Sequence, residues 1–268
     1  MTLNLAIAGV AGRMGRALVA GAASDVRFAV TGGSERAGSA LIGTDLGLLE
    51  GQSTTGFLVS DGVEQACARA NVWIDFTSPS ATIAALAGLK GTGVAAAIIG
   101  TTGFDTEQLA AIASASQYLS IVQSGNFSLG VNLVAGLVRQ AAARLGPAWD
   151  LEIVESHHRH KVDAPSGTAL MLGRAAAQGR GVDHDEVACF ARHGQTGPRK
   201  AGEIGYGVIR AGGIIGDHEV MFAAEDEIVT ITHKAASRTI FAKGALAAAV
   251  WAQEQKPGLY SMDDVLGL

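Results

Sequence analysis

The sequence predicts an α/β protein in two parts: a doubly wound parallel sheet over the first half, then an α+β domain built on an open mixed sheet. Three observations carry this. Short apolar strands alternate with helical stretches through the first half, the pattern of a sheet covered on both faces. Glycine is frequent, at 36 residues, whereas aromatics make up only 5%, a pairing that suits many tight strand-to-helix turns. In the second half the later strands follow one another through short turns, which pairs neighbours antiparallel.

Residues 3–8, Leu-Asn-Leu-Ala-Ile-Ala, read as a strand buried on both faces. Gly9, Val10, Ala11, Gly12, Arg13, Met14 and Gly15 follow, with glycines at G-x-x-G-x-x-G spacing, and then a helix to residue 23. Glycine permits the tight turn and a close backbone approach, and the N–H groups that open the helix suit an anion. Such a turn alone is equally a plain structural turn. Its place between the first strand and the first helix is the context that a Rossmann-type dinucleotide motif requires. A second strand, 27–31, leads to Glu35 and Arg36. Glu35 lies about 20 residues after Gly15, where a carboxylate meets a ribose 2′-hydroxyl, and Arg36 suits a 2′-phosphate. The pair accommodates NADH or NADPH, with two solvated loop charges as the plain alternative. Residues 38–56, rich in Gly, Ser and Thr without periodicity, read as a long surface connection.

Further strands at 72–76, 94–99 and 119–123 each end in small hydrogen-bonding residues: Thr77 to Ser80, Gly100 to Gly103, and Ser124 to Ser128. Asp105 starts a helix after the second of these. Ligands of open parallel sheets bind at such carboxyl ends, although each loop by itself is ordinary turn chemistry. A helix over 129–145 closes at Gly146-Pro147.

Next comes a strand at 151–154, and then Glu155-Ser156-His157-His158-Arg159-His160-Lys161. Three of the seven histidines fall within four positions, in a chain of net charge -5, so the local positive excess runs against the composition. Pro165 breaks the extended run, and Ser166 can cap a helix over 167–178. A helix N-terminus preceded by cations points to a small anionic dicarboxylate, held by Ser166, Gly167 and Thr168 at one end and by the His/Lys cluster at the other. A solvated basic loop is one alternative. Metal binding is another, since His158 and His160 share a face if the strand continues that far, but nothing nearby completes a zinc shell. Strands at 187–190, 205–210, 219–223 and 228–232 follow, with a flexible loop at 193–202 that could cover an active site. A helix over 237–255 ends before Pro257.

Across 268 residues, 48% apolar and 17% charged content excludes global disorder. No run approaches the roughly 18 apolar residues of a membrane helix. Met1 leads almost directly into a strand, without the features of a signal peptide, so a cytoplasmic protein is expected. No sustained basic face suits nucleic acid. Cys67 and Cys189 suggest neither a disulfide framework nor a nucleophile.

The run HHRHK followed by DAPSGTA closely resembles the corresponding stretch of dihydrodipicolinate reductases, bacterial and plant enzymes of the diaminopimelate–lysine pathway. The likeness extends over nearly the whole chain at matching relative positions. It implies NAD(P)H-dependent reduction of dihydrodipicolinate, formed by dehydration of 4-hydroxy-tetrahydrodipicolinate, to tetrahydrodipicolinate. By the same match His157 is the proton donor/acceptor and Lys161 a second proton donor, while His158, Gly167 and Thr168 fall at substrate-binding positions. Cofactor positions are Gly9, Val10, Ala11, Gly12, Arg13, Met14, Glu35, Arg36, Gly100, Thr101, Thr102, Ser124, Gly125, Asn126 and Phe127. The resemblance further implies a dinucleotide-binding domain over 1–128, completed by a C-terminal helix within 238–268. A substrate-binding domain over 129–237 would also form a homotetramer through its sheet. No metal is called for. The rivals are a metal-dependent hydrolase using the histidines and a nucleotide-sensing module without turnover. An acylating semialdehyde dehydrogenase is disfavoured, because neither cysteine stands in motif-like surroundings.

Overall fold

Leu5, Ala6 and Ile7 have no exposed surface, because their strand, β1 (Leu3–Ala8), runs through a parallel sheet covered on both faces. The computed structural model describes residues 2–51 and 53–268. Met1, which opens the first expected domain, and Gln52, inside the expected 38–56 connection, lie outside the described residues. The chain divides into two compact units, one running to Ser128 and including Thr239–Gly267, the other covering Leu129–Arg238.

In the first unit the sheet order is β3 (Val59–Ser60), β2 (Phe28–Ser34), β1, β4 (Val72–Asp75), β5 (Ala96–Ile99), β6 (Ser120–Gln123) and β12 (Gly258–Tyr260). Every pairing is parallel. Strand order therefore reverses direction between β1 and β4, the switch point at which such sheets open a crevice. Ala6, Ala8, Trp73, Ala97 and Ile99 join a core with Leu86 and Leu89 of α3 (Pro79–Leu89) and Ile112 of α4 (Thr106–Ala115). The alternate residues Leu5, Ile7, Ile74 and Ile98 face the other way and are equally buried. Helices α1 (Arg13–Ala23) and α8 (Thr239–Gln253) pack on each other, and α8 buries a run of small residues that includes Ala242, Ala245, Ala248 and Ala249. Asp105 caps α4 as its position predicts: its carboxylate accepts from the Gln108 N–H at 2.8 Å, and the Gln108 side chain accepts from the Asp105 N–H at 3.0 Å.

The structure departs from the sequence reading in three places here. The connection expected at the surface is not exposed throughout: Leu46 and Leu49 are buried, and Gly47–Glu50 forms a 3-10 turn. Asp45 accepts from the N–H groups of Gly47, Thr55 and Gly56, so a carboxylate replaces periodicity as the organiser. Second, β3 and α2 (Val63–Ala66) fill a region read without elements. Third, α8 is not the end of the ordered chain. β12 pairs in parallel with β6, and α9 (Met262–Leu266) follows under a Ser261 capping box.

The second unit holds a five-stranded mixed sheet in the order β11 (Ile228–Lys234), β10 (Asp217–Ala223), β7 (Asp150–His157), β9 (Ile204–Arg210), β8 (Ala188–Cys189). Central β7 runs parallel to β9 and antiparallel to β10. Helices α5 (Leu129–Leu145) and α6 (Gly167–Arg180) pack together, and Val138, Leu172 and Ala176 meet Leu151, Ile153, Val220 and Phe222 in one core. The expected strand at 187–190 is only two residues long and follows a short helix, α7 (His184–Val187). The 193–202 loop is tied down by Arg199 and by Arg192 just before it. Arg192 and Arg199 both bind Glu152, and Arg199 also reaches the Asp150 carboxylate and the Leu151 and Glu203 carbonyls. In the register Leu151 faces Ile204 and His157 faces Arg210. The loop is thus anchored at the end of β7 opposite His157. No helix among the described residues is long and apolar enough to cross a membrane.

Candidate functional site

Along β7, Leu151 and Ile153 point into the core, and the same face continues into Glu155 and His157. Polar groups in a core row need partners, and Glu155, 1% exposed, has four donors. His157 Nδ1 lies at 2.6 Å. The two terminal nitrogens of Arg210 reach the two carboxylate oxygens at 2.7 and 2.8 Å, and the Ser166 N–H donates at 2.9 Å. Burial alone would push Glu155 up, but Arg210, His157 and the Ser166 N–H outweigh it and hold the carboxyl below its usual range.

His218 stands opposite Glu155 across the β7–β10 ladder, its ring edge-on to His157 with centroids 5.1 Å apart. Its Nε2 lies 3.0 Å from Ser166 Oγ. Burial, then the charge of His157, pushes His218 down to about 4, so the ring is neutral at neutral pH. A Cβ added at Gly216 would lie 3.0 Å from His157 Nε2 and 3.8 Å from His218 Cε1. Only glycine leaves that space open.

β7 ends at His157, so His158 and His160 do not share a strand face. They lie in a turn where the Lys161 N–H donates to the His158 carbonyl and the Arg159 N–H to the Gly212 carbonyl. Among the described residues no three His, Cys, Asp or Glu gather as a metal site would require. His158 Nε2 lies 3.0 Å from an Arg238 nitrogen. Burial first, and then the Arg238 charge, lowers the pKa of His158. Lys161 Nζ pairs with Asp163 at 2.8 Å, which pulls the Asp163 carboxyl down. Ser166 caps α6, accepting from the Ala169 N–H at 3.1 Å. With that bond, the His218 contact and 1% exposure, its hydroxyl is engaged inside the protein. Gly167 is exposed and Thr168 half-buried at the head of the helix.

In the first unit, Gly9 sits at φ +58°, a conformation that favours glycine, and a Cβ at Gly15 would strike the Gly9 and Val10 carbonyls. The N-cap of α1, Gly12, has no side chain to occupy the N–H groups of the first turn. Arg13 and the half-buried Met14 open the helix. Glu35, at the end of β2, accepts from the Ala11 N–H at 2.9 Å, and Arg36 beside it is exposed. At the ends of β5 and β6 the expected residues divide. Thr101 is buried, bonded to the Thr77 N–H, the Thr82 hydroxyl and Asp75, whereas Thr102 and Gly125 are exposed and Gly100 is half-buried. The Ser124 hydroxyl donates to the Asn126 carbonyl, and the Asn126 side chain accepts from the Ser128 N–H. Phe127 is buried edge-on to Phe76 at 5.4 Å. Val10, Thr101 and Phe127 thus offer backbone and packing, not exposed side chains.

Residues 3–127 match the family model for the dihydrodipicolinate reductase N-terminus, and residues 130–266 match that for its C-terminus. The chain belongs to the dihydrodipicolinate reductase family. The 4-hydroxy-tetrahydrodipicolinate reductase of Parvibaculum lavamentivorans is 49% identical over 267 residues, covering 99% of this chain and 98% of that protein. That of Dinoroseobacter shibae is 48% identical over 265 residues, with coverage of 99% and 98%. A solved structure of dipicolinate-bound dihydrodipicolinate reductase from Paenisporosarcina sp. TG-14 shares the fold at a TM-score of 0.79 and 22% identity, covering 97% of this chain and 98% of that one.

A dihydrodipicolinate reductase with a Rossmann sheet implies a nicotinamide cofactor, and the residues present fit one. The glycines lie where side chains would fill the cradle, and a carboxylate stands at the end of β2 beside it. Sequence reasoning missed Arg210, His218, Arg238 and Gly216. All four come from strands or turns far along the chain and reach the β7 motif only through sheet register and the turn that follows it. No local pattern marks them.

Proposed function

We infer that this chain reduces dihydrodipicolinate, formed by dehydration of 4-hydroxy-tetrahydrodipicolinate, to tetrahydrodipicolinate, a step of the diaminopimelate–lysine pathway. The observation that carries this reading is the His157–Glu155 pair at the end of β7, joined through Ser166 to the N-terminus of α6, in a chain matched to the family along its length. A bound NADH or NADPH supplies the hydride. The protein's own task is to hold a dicarboxylate and deliver a proton. Histidine suits proton transfer near neutral pH, and His157 is assigned as proton donor/acceptor. Lys161 is the second proton donor and places positive charge beside a carboxylate, exchanging its pairing with Asp163 for the substrate. His158, Gly167 and Thr168 bind the substrate, with the positive end of the α6 dipole facing a carboxylate. Ser166 holds that helix turn in place. A dicarboxylate ligand is supported by the dipicolinate in the related structure.

For the cofactor, the Gly9–Met14 loop receives the pyrophosphate, Glu35 the ribose hydroxyls and Arg36 a 2′-phosphate, so both NADH and NADPH serve. The loops at Gly100, Thr101 and Thr102 and at Ser124, Gly125, Asn126 and Phe127 take the nicotinamide end. The first unit, 1–128 with 238–268, is accordingly the dinucleotide domain, and 129–237 the substrate domain. Family likeness supports a homotetramer in the cytoplasm. The test is loss of reduced-nicotinamide absorbance when the protein meets either cofactor together with enzymatically generated substrate. Binding of the cofactor without turnover of that substrate would sink the assignment.

A further inference from the structure

We propose that Glu155 is a positioning residue for proton transfer. Its carboxylate fixes His157 in the tautomer that presents Nε2, and through the Ser166 N–H it ties that ring to the first turn of α6. The proposal rests on the assignment of His157 as proton donor/acceptor.

An ionised carboxylate only accepts hydrogen bonds. With Glu155 Oε2 2.6 Å from Nδ1, the ring must carry a hydrogen on Nδ1 and turn Nε2 to the opposite side. That is the side Gly216 keeps clear. Neutral His157 then offers a lone pair at Nε2, and protonated His157 offers a proton there. The carboxylate's second oxygen, Oε1, accepts from the Ser166 N–H at 2.9 Å. Ser166 is the cap of α6, so one side chain sets the distance between the proton-transfer ring and the anion-binding helix end. Arg210 holds this carboxylate from β9 with both terminal nitrogens, and one of them also donates to the Asp163 carbonyl at 2.6 Å, pinning the turn that carries Lys161. The groups that face His157 are therefore Glu155 on its own strand, His218 from β10, and Arg210 from β9 acting through Glu155.

Stability alone explains this arrangement poorly. A buried ion pair contributes little to folding against well-packed apolar residues, and Leu151 and Ile153 show that the same row accepts aliphatic side chains. Carboxylates that orient metal-bound histidines affect function about 10- to 100-fold, and the geometry here is of that kind with a proton in place of a metal.

The experiment is a double-mutant cycle of Glu155→Gln and His157→Gln, measuring kcat and KM with NADH and generated substrate, and NADH affinity separately. The glutamine's one carbonyl oxygen serves His157 or Ser166 but not both, and its amide turns donors toward Arg210. Glu155→Gln should lower kcat about 10- to 100-fold with a smaller change in KM and unchanged NADH affinity. Combined with His157→Gln, it should add less than about 2-fold. Losses that multiply instead would overturn the proposal, because Glu155 would then act independently of the ring. So would full kcat in Glu155→Gln beside an impaired His157→Gln. A normal kcat in His157→Gln alone removes the assignment of His157 itself, and this proposal with it. If Glu155→Gln melts early because Arg210 loses its partner, Glu155→Gln with Arg210→Met removes both charges. That folded variant should still lose kcat, and a return to wild-type kcat there overturns the proposal.

Discussion

His218 should make the protein's stability depend on pH in a window that opens at about 6.5, above the carboxylate range, and closes near about 4. The side chain is 4% exposed and is pushed from 6.5 down to about 4, by burial first and then by the charge of His157. His233 and Lys161 push the same way, and Glu155 opposes them. The folded chain thus holds the ring neutral where the unfolded chain would protonate it. Stability that is complete above the unfolded value of 6.5 is lost as pH falls toward about 4. At about 1.36 kcal/mol per pH unit, the whole gap is worth about 3 kcal/mol, of which about 2 kcal/mol is gone by about pH 5. His218→Gln keeps an amide within reach of Ser166 Oγ and removes the titration. Urea unfolding of both proteins at about pH 8 and about pH 5 should show the wild type losing about 2 kcal/mol more than the variant. Glu155, held below its ordinary value of 4.5, adds its own loss only at lower pH. Equal losses in the two proteins would refute the claim that the fold keeps His218 neutral.

Four further outcomes are expected. Gly216→Ala places a methyl 3.0 Å from His157 Nε2; Gly216 is not among the positive-φ glycines, so its thermal melt should move little, while proton transfer at Nε2, as proposed, predicts a fall in kcat of about 10-fold or more, as misplacements of about 1 Å cause. A variant with wild-type kcat would show that Nε2 does not work from that side. His157→Gln should lower kcat by about 10²- to 10⁴-fold with little change in NADH affinity, and Lys161→Arg should restore the KM lost in Lys161→Ala more than its kcat, because guanidinium holds its proton; recovery of both would leave Lys161 as a carboxylate anchor only. Arg36→Ala should raise KM for NADPH more than for NADH, and equal effects would mean that Arg36 does not meet the 2′-phosphate.

Much of the fold was legible because its signals are local. The apolar runs of β1, β4, β5 and β6, the glycine loop after β1, the Asp105 and Ser166 caps and the closing Gly146-Pro147 each state a conformation within a few residues. What escaped is held by distant partners. Asp45 ties Gly47 to Thr55 and Gly56 by accepting their backbone N–H groups, bonds that leave no periodic trace. β12, three residues long, exists because β6 offers it an edge. In the site, the His157–Lys161 motif was plain, and Glu155 stood at its head without a visible role. Its meaning depends on Arg210 and His218 arriving from β9 and β10, and on β7 extending to His157 so that carboxylate and imidazole fall in one row. Arg238, more than seventy positions further along than His158, could be placed only by the folded chain.

The parallel pairing of β12 with β6 also governs the order in which the chain can be completed during synthesis. Leu129–Arg238 is one contiguous stretch and can close its sheet as soon as β11 emerges from the ribosome. The first-made half cannot: the outer side of β6 stays unpaired until Gly258–Tyr260 has been translated, and α8 is equally late. A long interval with an open strand edge invites mispairing between nascent chains. A chain cut after α8 should therefore betray itself less by a lower melting temperature than by aggregation during expression, with Ile121 and Val122 on the exposed edge.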